Sequence, residues 1–418
     1  MPAIVIEGGN RLEGTLKVQG AKNGVLPLLA ATILCHGECI LHNCPKLSDV
    51  DVSIKILRQL GCKAEFSDDT VTVDATNMSG FEIPDDLMRE MRSSIVFLGA
   101  IAARAGKARI SSPGGCELGP RPIDIHLSAL RELGVNIEEN GGFIECLCAD
   151  NLTGKCISLS FPSVGATENI ILASVLAEGC TVIHNCAKEP EIIDLALFLN
   201  AAGARISGAG TDTIYIEGVD SLSGVEYSVL PDRIAAATYI AAAAVTKGDI
   251  TLTNVQPSHM LSIINVYRSL GCNVISDKNT IRAIGPNRLN PISTVRSYIY
   301  PGFPTDAGPM TVASMVLANG TSMFVENIFE NRFRYIDELN RFGASIKVEG
   351  KVAVINGVKS LKGAGAFCTD LRGGAAVVIA ALAAEGKSRI EHIHHIDRGY
   401  EEFEINLARL GARAKRIE

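Results

Sequence analysis

The 418-residue sequence has no uncharged apolar run that reaches the roughly 18 residues of a membrane span. Its opening, residues 1–10, lacks the basic and long apolar regions of a signal peptide. Together these absences predict a cytoplasmic protein with no membrane partner. Positive charge is in short supply: 39 Lys and Arg against 46 Asp and Glu give a formal net charge of −7, which argues against nucleic acid as a partner. An anionic ligand must then be met by cations gathered locally. The paired C-x-x-C spacing of structural zinc is missing, and so is the Gly-x-x-x-x-Gly-Lys loop of phosphate-binding folds. No low-complexity tract interrupts a composition of 47% hydrophobic and 20% charged residues, so the chain is folded throughout. Twelve cysteines without a secretion signal read as free thiols.

What is present is repetition. A chain of this length exceeds one hydrophobic core and predicts two domains. An Ala-rich apolar segment ending in Gly recurs at Gly37, Gly106, Gly179, Gly248, Gly320 and Gly386, and an amphipathic helix ending in Leu-Gly or a variant recurs at Gly61, Gly134, Gly203, Gly271, Gly343 and Gly411. The period is about 70 residues, so six units span the chain. A weaker Leu-x-Gly marker, opening a strand, stands at Leu12, Leu152, Leu222 and Leu361.

The two helices of each unit differ in kind. The later one has a polar face, as in residues 192–202 and 336–342. The earlier one is apolar nearly all round, at 26–34, 95–103, 170–176, 234–245, 310–317 and 375–384. A helix without a polar face has to be buried, so three units could wrap their sheets around three inner helices. Two ordinary doubly wound sheets are the alternative. Polar residues collect where the inner helices begin: Lys22-Asn23, Arg92-Ser93-Ser94, Ser163 to Thr167, Asp232-Arg233, Thr305-Asp306 and Asp370-Leu371-Arg372. Helix N-termini attract anions through free N–H groups and the dipole. Capping alone accounts for the Ser and Asp residues but not for the basic ones.

Between its two Gly landmarks, Gly106 and Gly134, the second unit runs about four residues longer than its siblings, and the extra length falls in the segment Ser111 to Pro122. Its three glycines and three prolines suit a closing lid with Cys116 at the tip, five residues from Arg121. A thiol exposed near cations has a lowered pKa and can serve as nucleophile or acid. The cluster Cys35, His36, Cys39, His42 and Cys44 looks like a metal site, but His184-Asn185-Cys186 repeats its ending in the third unit, which points to a shared strand terminus and no metal. His392, His394 and His395 read as packing or surface residues.

Nine motifs in order resemble the enolpyruvyl transferases over essentially the whole chain: residues 20–23, 113–116, 121–126, 163–167, 230–233, 303–306, 329–333, 369–372 and 395–400. Within that family the match is to the branch whose acceptor is UDP-N-acetylglucosamine. The resemblance implies an inside-out α/β barrel of two domains, each of three repeated units around buried helices, with boundaries at 22–229 and at 1–21 plus 230–418. It implies phosphoenolpyruvate and UDP-N-acetylglucosamine as substrates and no metal or organic cofactor. Cys116, Asp306, Lys22 and Arg398 become the expected catalytic residues. Lys22, Asn23, Arg121, Arg332, Arg372 and Arg398 are expected at phosphoenolpyruvate, a donor with about three negative charges that calls for forked cations. Asn23, Arg92, Arg121, Pro122, Ile123, Asp124, Ile125, Ser163, Val164, Gly165, Asp306 and Ile328 are expected at the nucleotide sugar. The sequence departs from some relatives in one place, where Phe161-Pro162 precede Ser163 and those relatives carry Lys.

Three other readings compete. The sibling enzyme that acts on shikimate 3-phosphate shares the cation-rich cleft but lacks the cysteine lid. An RNA 3'-phosphate cyclase also uses repeated α/β units, yet would need a nucleotide triphosphate site and tolerance of RNA. A non-catalytic repeat scaffold leaves the inserted Cys116 loop without a purpose.

Overall fold

In the computed structural model, which describes residues 2–112, 123–148 and 152–418, six inner helices recur at the expected spacing. They are α1 (Lys22–Ala31), α2 (Phe97–Ala105), α3 (Val164–Ser174), α4 (Arg233–Val245), α5 (Gly308–Met315) and α6 (Leu371–Ala383). Every residue of α4 is buried, as a helix of Ala and Ile without a polar stripe requires. Where α2 and α3 cross, Gly99 is obligatory: a Cβ there would lie 2.3 Å from the Asn169 carbonyl oxygen. Polar residues before the apolar runs form the first turn of α1, α3 and α6, whereas those before α2 and α5 lie in the preceding 3₁₀ turns Arg92–Val96 and Thr305–Ala307.

Each repeat has one four-stranded sheet, and the described residues contain six such sheets. In the first, Glu38–His42 pairs antiparallel with Thr70–Asp74, which pairs antiparallel with Lys63–Ser67. The fourth strand is borrowed: Glu226–Ser228, far along the chain, joins Glu38–His42 in parallel. Glu82–Ile83 and Cys156–Ser158 close the second and third sheets in the same way, each lent by the repeat before. In the other set, Glu13–Lys17 closes the fourth sheet, Val295–Arg296 the fifth and Gly365–Phe367 the sixth. Ala3–Glu7 lies between Lys387–Glu391 and Arg413–Ile417, so the sixth repeat takes a strand from the opposite end of the chain.

These pairings divide the described chain into two compact units, one within Gly20–Leu230 and the other joining the residues up to Gln19 with Pro231–Glu418. Each has its own hydrophobic core, built from inner helices and the inward faces of three sheets.

The Gly landmarks have a backbone cause. Gly61, Gly134, Gly203, Gly271, Gly343 and Gly411 all adopt left-handed φ between 89° and 111°, ending the outer helices where a Cβ would be strained. Gly248 breaks the other series: Lys247 takes the left-handed φ of 54°, and Gly248 sits against the Leu12 carbonyl, which leaves 2.6 Å for a Cβ. The repeated His-Asn-Cys is a strand ending. Asn43, Asn185 and Asn254 are left-handed, and their amides donate to Val229 O, Leu159 O and Val18 O. Each thus ties a strand end to a neighbouring segment.

Candidate active site

In the unit containing 231–418, three inner helices begin with an acidic residue, and the structure separates their roles. Asp232 caps α4 by accepting from Ile234 N at 2.8 Å and Ala235 N at 2.9 Å. Asp370 caps α6, accepting from Arg372 N at 3.1 Å and Gly373 N at 3.0 Å. Asp306, in the 3₁₀ turn Thr305–Ala307 before α5, makes no cap. Its carboxylate instead accepts from Arg332 Nη2 at 3.1 Å and Arg372 Nε at 3.3 Å. Both guanidinium side chains are nearly inaccessible, at 2% and 3%, while Asp306 keeps 29% of its surface open. Two buried cations therefore share one reachable carboxylate. Among the described residues, Arg332 Nε, Arg372 Nη1 and the Tyr335 hydroxyl have no protein partner, so donors remain unused beside that carboxylate.

Around this cluster the chain is tied down by residues that no motif announced. Glu326 is buried and accepts from Ser297 Oγ, Thr305 Oγ1, Ile328 N and Phe329 N. Arg398 follows the short helix His394–Asp397. Gln19 holds the next residues through Nε2 to Gly399 O at 3.1 Å and through Oε1, which accepts from Glu401 N at 2.8 Å. His395 is pushed down to about 4, first by burial and then by His394 and Arg398. The three histidines 392, 394 and 395 are ring neighbours, with 394 and 395 at 4.1 Å between centroids, in keeping with a packing role.

In the other unit, Lys22 opens α1, and its Nζ meets Asp49 Oδ2 at 2.8 Å with both side chains buried. Asn23 beside it is exposed. Asp49 lies in the first turn of the helix Ser48–Gln59, and no motif in the sequence singles it out. Arg92 begins the 3₁₀ turn Arg92–Val96 and is half-buried. Ser163 caps α3, its Oγ accepting from Ala166 N at 3.3 Å. Gly165 lies under the His126 imidazole, where a Cβ would stand 2.9 Å from Cε1.

His126 is held by Asn169, whose orientation is set by its other partners. Asn169 Oδ1 accepts from Gly99 N at 2.7 Å and Nδ2 donates to Ile95 O at 3.0 Å, so Nδ2 faces His126 Nδ1, also at 3.0 Å. Nδ1 must accept, and the imidazole is neutral with its proton on Nε2. Burial pushes its pKa down to about 4; Asp124 opposes this and Arg92 adds to it. Nearby, Ile123, Asp124, Ile125, Ser128, Arg131 and Ser160 are among the residues lining a pocket of about 580 Å³. Glu168 on α3 is buried next to Glu191 and Glu189, and desolvation first, then these neighbours, raises its pKa well above the usual carboxylate range.

Cys116, Arg121 and Pro122 lie outside the described residues. Of the remaining expected site residues, the structure gathers Asp306, Arg332 and Arg372 into one cluster and ties Ile328 into the same network. Lys22 is paired with Asp49, Ser163–Gly165 form the start of α3, and Ile123–Ile125 line the pocket. Cys35, Cys39 and Cys44 are buried thiols, and burial raises Cys44 to about 12. Sγ of Cys35 and of Cys44 donates to the backbone, to Ala31 O and Leu41 O. No helix of the described residues is long and apolar enough to cross a membrane.

The family described as EPSP synthase (3-phosphoshikimate 1-carboxyvinyltransferase) matches residues 6–407. UDP-N-acetylglucosamine 1-carboxyvinyltransferase 2 of Caldanaerobacter subterraneus is 52% identical over 417 residues, covering 100% of both chains. UDP-N-acetylglucosamine 1-carboxyvinyltransferase 1 of Symbiobacterium thermophilum is 50% identical, covering 99% of this chain and 95% of that one. Among solved structures, the enolpyruvyl transferase NikO from Streptomyces tendae superposes with a TM-score of 0.89 at 26% identity, over 99% of this chain and 98% of that one. EPSP synthase from Acinetobacter baumannii shares the fold, with a TM-score of 0.78 at 19% identity over 100% of both chains.

Proposed function

The chain belongs to the EPSP synthase family of enolpyruvyl transferases, and from that membership we infer that it transfers the enolpyruvyl group of phosphoenolpyruvate to the 3-hydroxyl of UDP-N-acetylglucosamine, releasing phosphate. This is the first committed step of peptidoglycan synthesis. The fold is the two-domain inside-out α/β barrel of that family. Full-length relatives at 45–52% identity carry the nucleotide-sugar name, against 19% identity to an EPSP synthase of known structure, which favours UDP-N-acetylglucosamine over shikimate 3-phosphate.

The observation that carries the chemistry is the Asp306 carboxylate held between two buried arginines. An acceptor hydroxyl must lose its proton while it attacks, and a base aimed by two fixed guanidiniums needs no reorganisation to take it. The same arginines fix the carboxylate in place, so Asp306 orients the hydroxyl and accepts its proton as the C–O bond forms. The methylene carbon of phosphoenolpyruvate gains a proton in the same addition, and Cys116 is assigned as its donor. The resulting tetrahedral adduct loses phosphate as the methyl group gives a proton back. That restores the double bond, now on the sugar ether.

Lys22, Arg121, Arg332, Arg372 and Arg398 are assigned to the phosphate and carboxylate of the donor, with Asn23 beside Lys22. Forked N–H groups suit both anions. Arg92, Arg121, Pro122, Ile123, Asp124, Ile125, Ser163, Val164, Gly165 and Ile328 are assigned to the nucleotide sugar, the start of the helix at Val164 and Gly165 being suited to its diphosphate. The reading makes no use of a metal or organic cofactor. The test is phosphate release from phosphoenolpyruvate with either acceptor. Release with UDP-N-acetylglucosamine and not with shikimate 3-phosphate is expected, and the reverse preference would overturn the reading.

A further inference from the structure

We propose that Glu326 is a positioning residue that fixes the base Asp306 and the acceptor-contacting loop at Ile328 as one rigid piece. The inference rests on the enolpyruvyl-transfer reading and extends it to a residue outside the expected site. Glu326 follows the strand Thr321–Val325 and is 1% exposed, so its carboxylate oxygens need hydrogen-bond donors from the chain itself. Four donors meet that need. Oε1 accepts from Ser297 Oγ at 2.8 Å, Ile328 N at 2.7 Å and Phe329 N at 3.1 Å, and Oε2 accepts from Thr305 Oγ1 at 2.9 Å. The donors on the two oxygens belong to different segments: two come from the loop bearing Ile328, one from the residue preceding Asp306.

The loop side is doubly secured. Ser297 Oγ also accepts from Asn327 N at 2.8 Å, and Asn327 Nδ2 donates to Ser297 O at 3.0 Å. The Asp306 side is closed by Arg332, whose Nη2 reaches both Thr305 O at 3.3 Å and Asp306 Oδ1 at 3.1 Å. Two consequences follow. The Ile328 N–H is used inside the chain, so the loop has its carbonyl and side chain to offer an acceptor. The separation between that contact and the base is set by one carboxylate, and small errors in such a separation are expensive in rate.

The test compares Thr305→Val, which keeps the shape of Thr and removes one donor, with Glu326→Gln and Glu326→Ala. Gln keeps Oε1 for three donors and can give its amide hydrogen to Thr305 Oγ1, so Glu326→Gln should stay within about threefold of the parent enzyme. Thr305→Val should lower kcat on the order of tenfold and raise the KM for UDP-N-acetylglucosamine, with the KM for phosphoenolpyruvate unchanged. Glu326→Ala should lose more on the same two parameters. Hydrogen exchange supplies a readout without substrate: Thr305→Val should speed exchange at the Ile328 and Phe329 amides, though it touches neither. Unchanged kcat together with unchanged exchange in Thr305→Val would overturn the proposal, even if Glu326→Ala proves unable to fold. A parent enzyme that releases no phosphate with UDP-N-acetylglucosamine would instead sink the functional reading, and the exchange result would still decide the role of Glu326.

Discussion

Arg332 Nη2 lies 3.1 Å from Asp306 Oδ1, and that guanidinium is sealed from solvent while the carboxylate is partly open. The cation is thus committed to its place, and the anion is the group that can reach a substrate. Asp306→Asn keeps the shape and the contact but cannot take a proton. It should lower kcat on the order of a hundredfold or more with phosphoenolpyruvate binding retained, as read by steady-state kinetics. A rate close to that of the parent enzyme would remove Asp306 from the proton transfer. The variant should also melt at a lower temperature, since two buried guanidiniums then lack their shared counter-charge, and inorganic phosphate should recover part of the loss.

Lys22 and Asp49 form a second buried ion pair at 2.8 Å. Lys22→Met leaves Asp49 buried opposite an apolar side chain and should cost about 3 kcal/mol of stability. The double variant Lys22→Met with Asp49→Asn removes both charges and should be more stable than Lys22→Met alone. Urea denaturation of the four proteins measures this coupling, and simple additivity would show that the pair does not act as a unit. Activity should fall in both Lys22 variants because the cation is assigned to the donor.

His126 offers a pH signature. Its folded pKa is pushed down to about 4 from an ordinary value of 6.5, chiefly by burial. Between those values the unfolded chain binds a proton that the folded chain does not, so this contribution to stability is intact above pH 6.5 and is lost as pH falls toward 4. The full span is worth on the order of 3 kcal/mol. His126→Gln does not titrate there, so the stability gap between parent and variant should shift in favour of the variant on going from pH 7.5 to pH 4.5. A constant gap would contradict the neutral imidazole, as would nitrogen NMR showing the proton on Nδ1.

Cys116 should take one adduct from an epoxide phosphonate such as fosfomycin, faster when UDP-N-acetylglucosamine is bound. Among the described thiols, Cys156 and Cys180 are exposed and Cys44, Cys62, Cys146 and Cys272 are raised to between about 11 and about 12 by burial. The exposed pair therefore serves as an internal control: a general alkylating agent should reach both, and the epoxide should reach neither. Mass spectrometry that finds the adduct elsewhere would refute the assignment.

Much of the architecture was readable from spacing. The helix-ending glycines announce themselves because a left-handed residue at a helix end is a local demand, met by the residue type whatever the rest of the chain does. The all-apolar inner helices are legible for the same reason, since a helix with no polar stripe has one place to go. The caps Ser163, Asp232 and Asp370 also follow from their neighbours in sequence.

The site was legible as residue types but not as roles. Thr305-Asp306 and Thr369-Asp370 look alike, each a Thr-Asp pair at the start of an inner helix. One carboxylate caps its own helix and the other turns to guanidiniums 26 and 66 residues away. Asp49, Asn169 and Glu326 carried no signal at all, because what distinguishes them is the partner and not the side chain. Sequence by itself determined the repeat, the burial of its helices and the supply of cations at their starts, all of which are settled within a few residues of chain. Tertiary structure decided which acid caps its helix and which is held by arginines, which histidine is neutral and which glutamate is a tie, because a polar group takes its character from the donors and charges that folding brings within about 3 Å of it.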